Sequence, residues 1–259
     1  MKLYDTVRDV DARHLTKDVV ASVSGVTKRF ESGTQALDRV DLDVRAGDFV
    51  AVVGPSGCGK STLLRMAAGL EKPTEGSVAL STESVGFIFQ EPTLLAWRSV
   101  GGNVELCAEI ARLPRGERRR RAQAAIDAVG LTGFESQLPR MLSGGMKMRA
   151  SLARALTSEP ELLLLDEPFG ALDEMTRLDM QSELQRLYAE RRFTAMFITH
   201  SVSEAVFLAN RVIVMSARPG RIVADIGIDF AHPRHPDLRY GSRFTDHVAE
   251  ISETLRGAR

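Results

Sequence analysis

A nine-residue segment that begins at Gly54 carries the residue types that phosphate binding requires. It fits the pattern G-x-x-x-x-G-K-[ST] and lies between an apolar run, Phe49–Val53, and a helical pattern that begins at Lys60. Glycines let the backbone wrap closely around phosphates, while inward amide N–H groups and a helix N-terminus attract negative charge. Lys60 would supply a full charge to the β- and γ-phosphates, and the Ser61 hydroxyl would bind Mg²⁺. A glycine-rich turn with a chance lysine is the alternative, which the strand-loop-helix order disfavours. We call this segment the phosphate loop, and it consists of Gly54, Pro55, Ser56, Gly57, Cys58, Gly59, Lys60, Ser61 and Thr62.

Two adjacent carboxylates follow a second apolar run. Leu162–Leu165 leads directly into Asp166, Glu167 and Pro168. Enzymes with a phosphate loop hold Mg²⁺ on a carboxylate at the end of a buried strand, which predicts that role for Asp166. Glu167, the next residue, is predicted to be the general base that activates the attacking water. The alternative is a solvated acidic turn before a proline, and the phosphate loop upstream favours the catalytic interpretation.

The apolar runs that position these residues are typical of strands buried on both faces, as in α/β sheets. Strands alternate with helical patterns up to about Gln90 and again from Leu162, and the segment between them is mostly helical. This pattern predicts an α/β core interrupted by a helical insertion. The predicted strands are Val19–Val26, Asp38–Val44, Phe49–Val53, Ser77–Leu80, Val85–Phe89, Leu162–Leu165, Thr194–Ile198, Val212–Met215 and Arg221–Ile226. The predicted helices are Lys60–Leu70, Asn103–Arg112, one from near Pro114 toward Gly130, one from Ser143 to near Ser158, and Asp173 to about Glu190.

The bulk composition argues against several other classes of protein. Lys plus Arg equals Asp plus Glu, 34 of each in 259 residues, so the chain has no general electrostatic reason to bind nucleic acid. Arg115–Arg121 contains five arginines, but the helical pattern favours a solvated helix face, and no nucleic-acid partner is predicted. No run reaches the ~20 apolar residues of a membrane span, and no signal-peptide core is visible. Two cysteines, Cys58 and Cys107, indicate a reducing compartment such as the cytosol.

A third segment distinguishes among the many proteins that bind nucleotides with such a loop. Leu142–Met146 resembles the signature segment of the ATP-binding-cassette (ABC) family, usually written LSGGQ, with Met146 in place of Gln. The resemblance implies that Ser143, Gly144 and Gly145 bind the γ-phosphate of an ATP held by the opposite subunit. A hydroxyl and exposed N–H groups at a helix start suit that role.

Four further residues fall in the order of the family's other motifs. Gln90 resembles the Q-loop glutamine, which touches Mg²⁺ and links to the membrane subunits. Asp173 ends Gly170–Asp173, which resembles the D-loop of the dimer interface. His200 resembles the switch histidine that contacts the γ-phosphate. Phe30 occupies the position of an aromatic ring that stacks on adenine, and an ordinary core aromatic is the alternative there.

The resemblance implies a particular fold and domain organisation. The expected fold class is α/β, a P-loop NTPase (RecA-like) core with an antiparallel β subdomain and an inserted α-helical subdomain. The predicted boundaries are an N-terminal extension over 1–18, a nucleotide-binding core over 19–91 and 160–259, and a helical subdomain over 92–159 that carries the signature segment.

The resemblance also implies an ATP-hydrolysing transporter subunit that uses ATP and Mg²⁺. Catalysis is assigned to Lys60, Gln90, Glu167 and His200, and Mg²⁺ to Ser61, Gln90 and Asp166. The expected partners are a second copy of the chain, membrane permease subunits and, indirectly, an extracytoplasmic solute-binding protein. The expected location is peripheral, on the cytoplasmic face of the cell membrane.

Two segments, Ala96–Arg98 and Met215–Ile222, resemble the nitrate/sulfonate/taurine group of importers. Three alternatives remain open: an ABC ATPase outside transport, an importer subunit for a different small organic solute, and a regulatory subunit that does not hydrolyse ATP. The presence of Lys60, Asp166, Glu167 and His200 argues against the last of these.

Overall fold

The computed structural model describes residues 18–258, which form two compact units, residues 18–83 with 193–258 and residues 84–192. The strands are β1 Val19–Arg29, β2 Gln35–Arg45, β3 Phe49–Val53, β4 Glu75–Leu80, β5 Val85–Ile88, β6 Leu162–Asp166, β7 Thr194–Ile198, β8 Arg211–Met215 and β9 Ile222–Gly227. The helices are α1 Lys60–Ala67, α2 Val100–Val104, α3 Leu106–Ile110, α4 Arg115–Ala128, α5 Gly144–Leu156, α6 Glu174–Arg191, α7 Val202–Leu208 and α8 Ser242–Gly257. Short 3₁₀ helices cover Pro139–Met141 and Pro236–Tyr240.

The first unit, residues 18–83 with 193–258, contains two groups of strands. Strands β2, β1 and β4 form an antiparallel sheet in that order. Strand β3 pairs in parallel with β7 on one side and with β8 on the other, and β9 pairs with β8 in the antiparallel direction. Every residue of β3 and β7 is buried, as expected for central strands of a parallel sheet covered on both faces.

The register of β3 against β7 determines where the phosphate loop and His200 lie in the first unit. Val52 lies opposite Ile198, and the N–H of Thr199 donates to the carbonyl of Val52 over 3.3 Å. The phosphate loop follows β3, and His200 follows β7. Because the strands are parallel and in register, both segments emerge at the carboxyl edge of this sheet, the usual edge for ligand binding in α/β folds.

The second unit, residues 84–192, contains the parallel pair β5 and β6 and most of the helices. Helix α5 packs on β5 and on the helices α2, α4 and α6. The whole of β6 is buried, which explains its run of four leucines. Gly86 of β5 is tightly packed, because a Cβ there would lie 3.0 Å from the Leu163 side chain and 3.1 Å from the Pro160 side chain.

Most predicted elements are confirmed, and the differences have local physical causes. The single helix predicted over Asn103–Arg112 is wrong, since two short helices, α2 and α3, occupy Val100–Ile110. The chain enters α2 earlier because the Ser99 hydroxyl caps it, accepting from the N–H of Gly102 over 3.2 Å. Helices α7 and α8 were not predicted. The former begins with an N-cap, in which the Ser201 hydroxyl accepts from the N–H of Glu204 over 3.3 Å.

The sequence also predicted domain boundaries and the absence of a membrane-spanning segment. The predicted N-terminal extension over 1–18 lies, apart from Asp18, outside the described residues. The units of the structure divide at residues 83/84 and 192/193, and the helical subdomain predicted over 92–159 stays a prediction within the second unit. In the described range, no helix has both the length and the apolar character that a membrane crossing requires.

Candidate functional site

The lysine of the phosphate loop is held by the loop itself. Its Nζ donates to the carbonyls of Gly54 over 2.8 Å and of Pro55 over 3.0 Å, and the residue is only 5% exposed. A buried ammonium is costly unless hydrogen bonds compensate it, and these two carbonyls do so. The charge of Lys60 is therefore fixed inside the loop, where phosphate oxygens would be stronger partners than carbonyls.

Backbone geometry explains why this loop requires glycine at Gly59. This residue caps the N-terminus of α1 with φ of 102°, a left-handed conformation that side chains oppose. A Cβ at that position would lie 2.8 Å from the carbonyl oxygen of Ala36 and 2.6 Å from the Leu37 side chain. The neighbouring strand β2 thus presses directly on the loop. Ser56 and Gly57 are exposed at the tip of the loop, and Cys58 is buried. Ser61 and Thr62 are half-buried at the start of α1.

His200 is exposed on the turn between β7 and α7, and hydrogen bonds of Thr199 and Ser201 on either side of it hold this turn. The Thr199 hydroxyl donates to the carboxylate of Glu204 over 2.5 Å and accepts from the N–H of Ser201 over 3.0 Å. Glu204 and Thr199 are both buried, so these bonds are shielded from water and hold the turn firmly. This network was not predicted from the sequence, although the spacing of Ser201 and Glu204 fits a capping box.

Phe30 lies just after β1 in the first unit with part of its ring accessible. It is 38% exposed, and the ammonium of Lys28 lies 5.2 Å from the ring centroid. Lys28 itself forms an ion pair with Glu71 over 2.6 Å, so it approaches the ring from a fixed position. A partly exposed ring is available to stack on a planar ligand, and the adenine contact of Phe30 stays a prediction.

Phe30→Ala should raise the dissociation constant for ATP about fivefold, since an aromatic stacking contact contributes on the order of 1 kcal/mol. Titration of a fluorescent ATP analogue measures this. The matched control is Phe134→Ala, because Phe134 has a similar exposure, 40%, in the second unit. If both variants bind ATP with wild-type affinity, Phe30 has no part in adenine binding.

In the second unit, Asp166 and Glu167 lie at the carboxyl end of β6. Asp166 is buried, at 6% exposure, and Glu167 adopts φ of 46°, which is uncommon for a residue with a side chain. Such strained conformations cluster at active sites, where the surrounding structure maintains them. Here the carbonyl of Glu167 accepts from the N–H of Gly170 over 3.1 Å, which closes a tight turn.

The Gln90 side chain lies beside the turn formed by Glu167 and Gly170. A Cβ placed on Gly170 would lie 3.8 Å from Nε2 of Gln90 and 4.0 Å from Oε2 of Glu167. The amide and the carboxylate therefore both lie within van der Waals distance of one point beside Gly170. Gln90 follows β5, and the parallel pairing of β5 with β6 places both strand ends on one side.

The signature residues begin α5 in the predicted manner. Ser143 is the N-cap, and its hydroxyl accepts from the N–H of Met146 over 3.3 Å. Ser143 and Gly144 are exposed, whereas Gly145 is buried. A Cβ on Gly145 would lie 2.3 Å from the Thr176 side chain, so this glycine is required for close packing between α5 and α6.

Asp173 has a structural task in the second unit. Its carboxylate caps α6 by accepting from the N–H of Thr176 over 3.0 Å and from its hydroxyl over 2.7 Å. These hydrogen bonds, the backbone one foremost, lower the pKa of Asp173. Thr176 thus contacts both the signature segment, at Gly145, and the predicted D-loop, at Asp173. Thr176 belongs to no recognised motif, so nothing in the sequence indicated this contact.

Solved structures share this fold. The structure of cbiO1 from Clostridium perfringens, part of the ABC transporter complex cbiONQ, matches with a TM-score of 0.75 at 26% identity, covering 88% of this chain and 93% of that one. The ATP-binding cassette MJ0796, in a dimeric post-hydrolysis state bound to ADP and Pi, matches with a TM-score of 0.72 at 30% identity, covering 82% and 100%. The class of protein is that of the ABC ATPases, mixed α/β proteins with an antiparallel sheet beside a P-loop NTPase core.

Sequence comparison narrows this class. Residues 37–170 match the family model described as ABC transporter. The aliphatic sulfonates import ATP-binding protein SsuB 1 of Mesorhizobium japonicum is 50% identical over 216 residues, covering 81% of this chain and 80% of that protein. An uncharacterized ABC transporter ATP-binding protein of Methanocaldococcus jannaschii is 46% identical over 248 residues, covering 92% of each. The chain belongs to the ABC transporter family as an ATP-binding subunit, and its enzymatic activity is ATP hydrolysis.

Proposed function

We propose that this subunit hydrolyses ATP to drive the import of a small organic solute, of which aliphatic sulfonates are the first candidates. The main support is the similarity to proteins named as aliphatic sulfonates import ATP-binding proteins, such as SsuB 1 of Agrobacterium fabrum, 45% identical over 239 residues. In this proposal the subunit works on the cytoplasmic face of the cell membrane, beneath permease subunits. An extracytoplasmic binding protein delivers the solute to that permease.

The phosphate loop is the proposed site for the ATP phosphates, and oxygen donors are proposed to hold Mg²⁺. The buried carboxylate of Asp166, the Ser61 hydroxyl and the Gln90 amide oxygen are hard donors, and Mg²⁺ binds through one or two carboxylates together with substrate phosphates. When bound, Mg²⁺ would neutralise charge on the phosphates. Lys60 adds a second positive charge, and Glu167 accepts the proton of the attacking water.

A second copy of the chain is proposed to complete each site. Ser143 and Gly144 are exposed at the N-terminus of α5, a 13-residue helix whose first N–H groups and partial positive charge suit a phosphate. The solved cassette MJ0796 is described as dimeric. In a head-to-tail dimer, the signature segment of one copy faces the phosphate loop of the other.

The proposed docking site for the permease is the segment after Gln90, from Glu91 to Arg98. The side chain of Asn103, fully buried, donates to the carbonyls of Leu95, Arg98 and Ser99 over 3.0–3.1 Å and accepts from the N–H of Leu95 over 2.7 Å. Arg154 holds the beginning of the segment by donating to the carbonyls of Pro92 and Thr93. These bonds make the loop rigid.

On this rigid loop Trp97 is 77% exposed, which contradicts packing in the core of the described structure. Arg98 instead forms an ion pair with Glu109 over 2.6 Å and supports the loop. A preorganised loop that presents a tryptophan is typical of an interface anchor, because little entropy is lost on binding and Trp contributes strongly to affinity. Trp97 is therefore the residue whose loss should uncouple the subunit from its permease.

Trp97→Ala should weaken assembly with the permease about tenfold or more, the effect of removing an interface anchor. The experiment reconstitutes the subunit with the permease and binding protein encoded beside it and measures ATPase stimulated by a short alkanesulfonate. The wild-type complex should be stimulated. The Trp97→Ala complex should lose that stimulation, while the basal ATPase of the isolated subunit is retained.

Tyr240→Ala is the matched control, because Tyr240 is also a highly exposed aromatic residue, at 87%, but lies in the other unit. It should assemble and respond as wild type does. A Trp97→Ala complex that retains full stimulation would remove Trp97 from the interface. Stimulation of the wild-type complex by nitrate or another solute, with none by alkanesulfonates, would contradict the sulfonate assignment.

A further inference from the structure

The turn between β8 and β9, residues Ser216–Arg221, packs on the outer side of the phosphate loop within the first unit. We call it the outer turn. Its backbone comes so close to the loop that a Cβ on Gly220 would lie 2.0 Å from the carbonyl oxygen of Cys58. The outer turn lies within Met215–Ile222, a segment that resembles a group of importers and has no assigned role in the chain.

Arg218 is the one residue of the outer turn whose side chain is shown to bond to the loop. Its Nε donates to the carbonyl of Gly57 over 3.0 Å. Gly57 has φ of 73°, and a Cβ there would lie 2.8 Å from the Arg218 guanidinium. The guanidinium therefore occupies the space that a side chain at position 57 would take.

This single hydrogen bond controls more than one group of the loop. A peptide unit is planar, so a fixed Gly57 carbonyl also fixes the direction of the N–H of Cys58. That N–H donates to the carbonyl of Pro55 over 3.3 Å and closes the turn Pro55–Cys58 at the tip of the loop. The guanidinium also places a positive charge beside the loop.

The outer turn has its own anchors, which do not depend on Arg218. The N–H of Gly220 donates to the carbonyl of Ala36 over 2.9 Å, and the N–H of Asp38 donates to the carbonyl of Gly220 over 3.0 Å. The Ser216 hydroxyl accepts from the N–H of Arg221 over 3.1 Å. The backbone of the outer turn should therefore stay in place when the Arg218 side chain is removed.

We propose that Arg218 is a positioning residue for nucleotide binding, which keeps the tip of the phosphate loop in the conformation that receives the ATP phosphates. The inference rests on the proposed role of the phosphate loop. Because Arg218 acts on the loop and not on the attacking water, its contribution should be the same before and during hydrolysis. Its loss should therefore raise KM and leave kcat unchanged.

Arg218→Ala should raise the KM for ATP about fivefold, a factor within the range of one typical intramolecular hydrogen bond, with kcat within about twofold of wild type. Arg218→Lys keeps a cationic donor and should restore KM to within about twofold of wild type. Steady-state ATPase kinetics of the full chain provide both constants, and thermal unfolding shows whether each variant is folded.

Arg221→Ala is the matched control, because Arg221 lies on the same turn and is similarly exposed, but its guanidinium bonds to Asp38 and not to the loop. It should keep the wild-type KM. Equal increases of KM in both variants, or a joint fall of kcat and melting temperature in Arg218→Ala, would overturn the inference. So would a wild-type KM in Arg218→Ala.

Lys60→Ala distinguishes failure of this inference from failure of the proposed site. Weak ATP binding by Lys60→Ala together with a wild-type KM in Arg218→Ala means that the phosphate loop is assigned correctly and Arg218 is not. Wild-type ATP binding by Lys60→Ala would overturn the loop assignment and, with it, the role of Arg218.

Discussion

Lys60→Ala is expected to abolish ATP hydrolysis and to weaken ATP binding by about one to two orders of magnitude, the range for a lost hydrogen bond to a charged group. The physical reason is the position of its ammonium. It is buried in the phosphate loop on the carbonyls of Gly54 and Pro55, and its charge is aligned before any nucleotide arrives. Without the Lys60 ammonium, phosphates bound to the loop would lack the attraction of a full positive charge in a site shielded from water.

The measurements are ATPase activity and titration with a fluorescent ATP analogue. Arg65→Ala is the matched control, since Arg65 is an exposed cation on the same helix, α1, and should leave both quantities unchanged. Melting temperature is recorded as well, because the mutation removes the donor to two carbonyls. A folded Lys60→Ala protein that hydrolyses ATP at the wild-type rate would contradict the phosphate-loop assignment.

Glu167→Gln is expected to separate binding from hydrolysis. Glutamine has the shape of glutamate and fits the turn closed by Gly170, but it cannot accept a proton from water. General-base catalysis contributes about 10²–10⁴-fold, so hydrolysis should fall by at least about a hundredfold while ATP affinity is retained. Because ATP then persists at the interface, the variant should accumulate as an ATP-bound dimer.

Light scattering after size exclusion, with ATP and Mg²⁺ present, measures the dimer, and phosphate release measures turnover. Glu161→Gln is the matched control, because Glu161 is an exposed carboxylate at the opposite end of β6 and should behave as wild type. Full turnover by Glu167→Gln would exclude Glu167 as the general base. A slow variant that stays monomeric with ATP would retain the base assignment and contradict the proposed trapped dimer.

The amino-acid sequence alone determined the features of this protein that depend on neighbouring residues. Buried strands such as Phe49–Val53 and Thr194–Ile198 were predicted with their bounds because short, mostly apolar runs are typical of strands buried on both faces. The phosphate loop and the signature segment were found for the same reason, since each concentrates its chemistry in fewer than ten consecutive residues. The start of α5 at the Ser143 cap followed from local capping chemistry.

Some local elements were missed or given wrong bounds because their own signal in the sequence was weak. Helix α7 has only seven residues, too few for a clear helical period, although the sequence spacing of Ser201 and Glu204 fits a capping box. The helix predicted to begin at Asn103 begins in the structure at Val100, so that Asn103 lies inside α2. In the structure its side chain is buried and organises the preceding loop, which no periodicity in the sequence indicates.

Only the tertiary structure decided which distant residues meet. Arg218 reaches Gly57 across 161 positions of the chain, and that distance is spanned because β8 pairs with β3. The contact between Gly145 and Thr176 and the exposure of Trp97 likewise depend on how helices and loops pack. Sequence spacing specifies geometry only within an element, where the backbone repeats at a fixed rise. Between elements, position depends on the pairing of strands and on the volumes of buried side chains, which act over the whole of a unit at once.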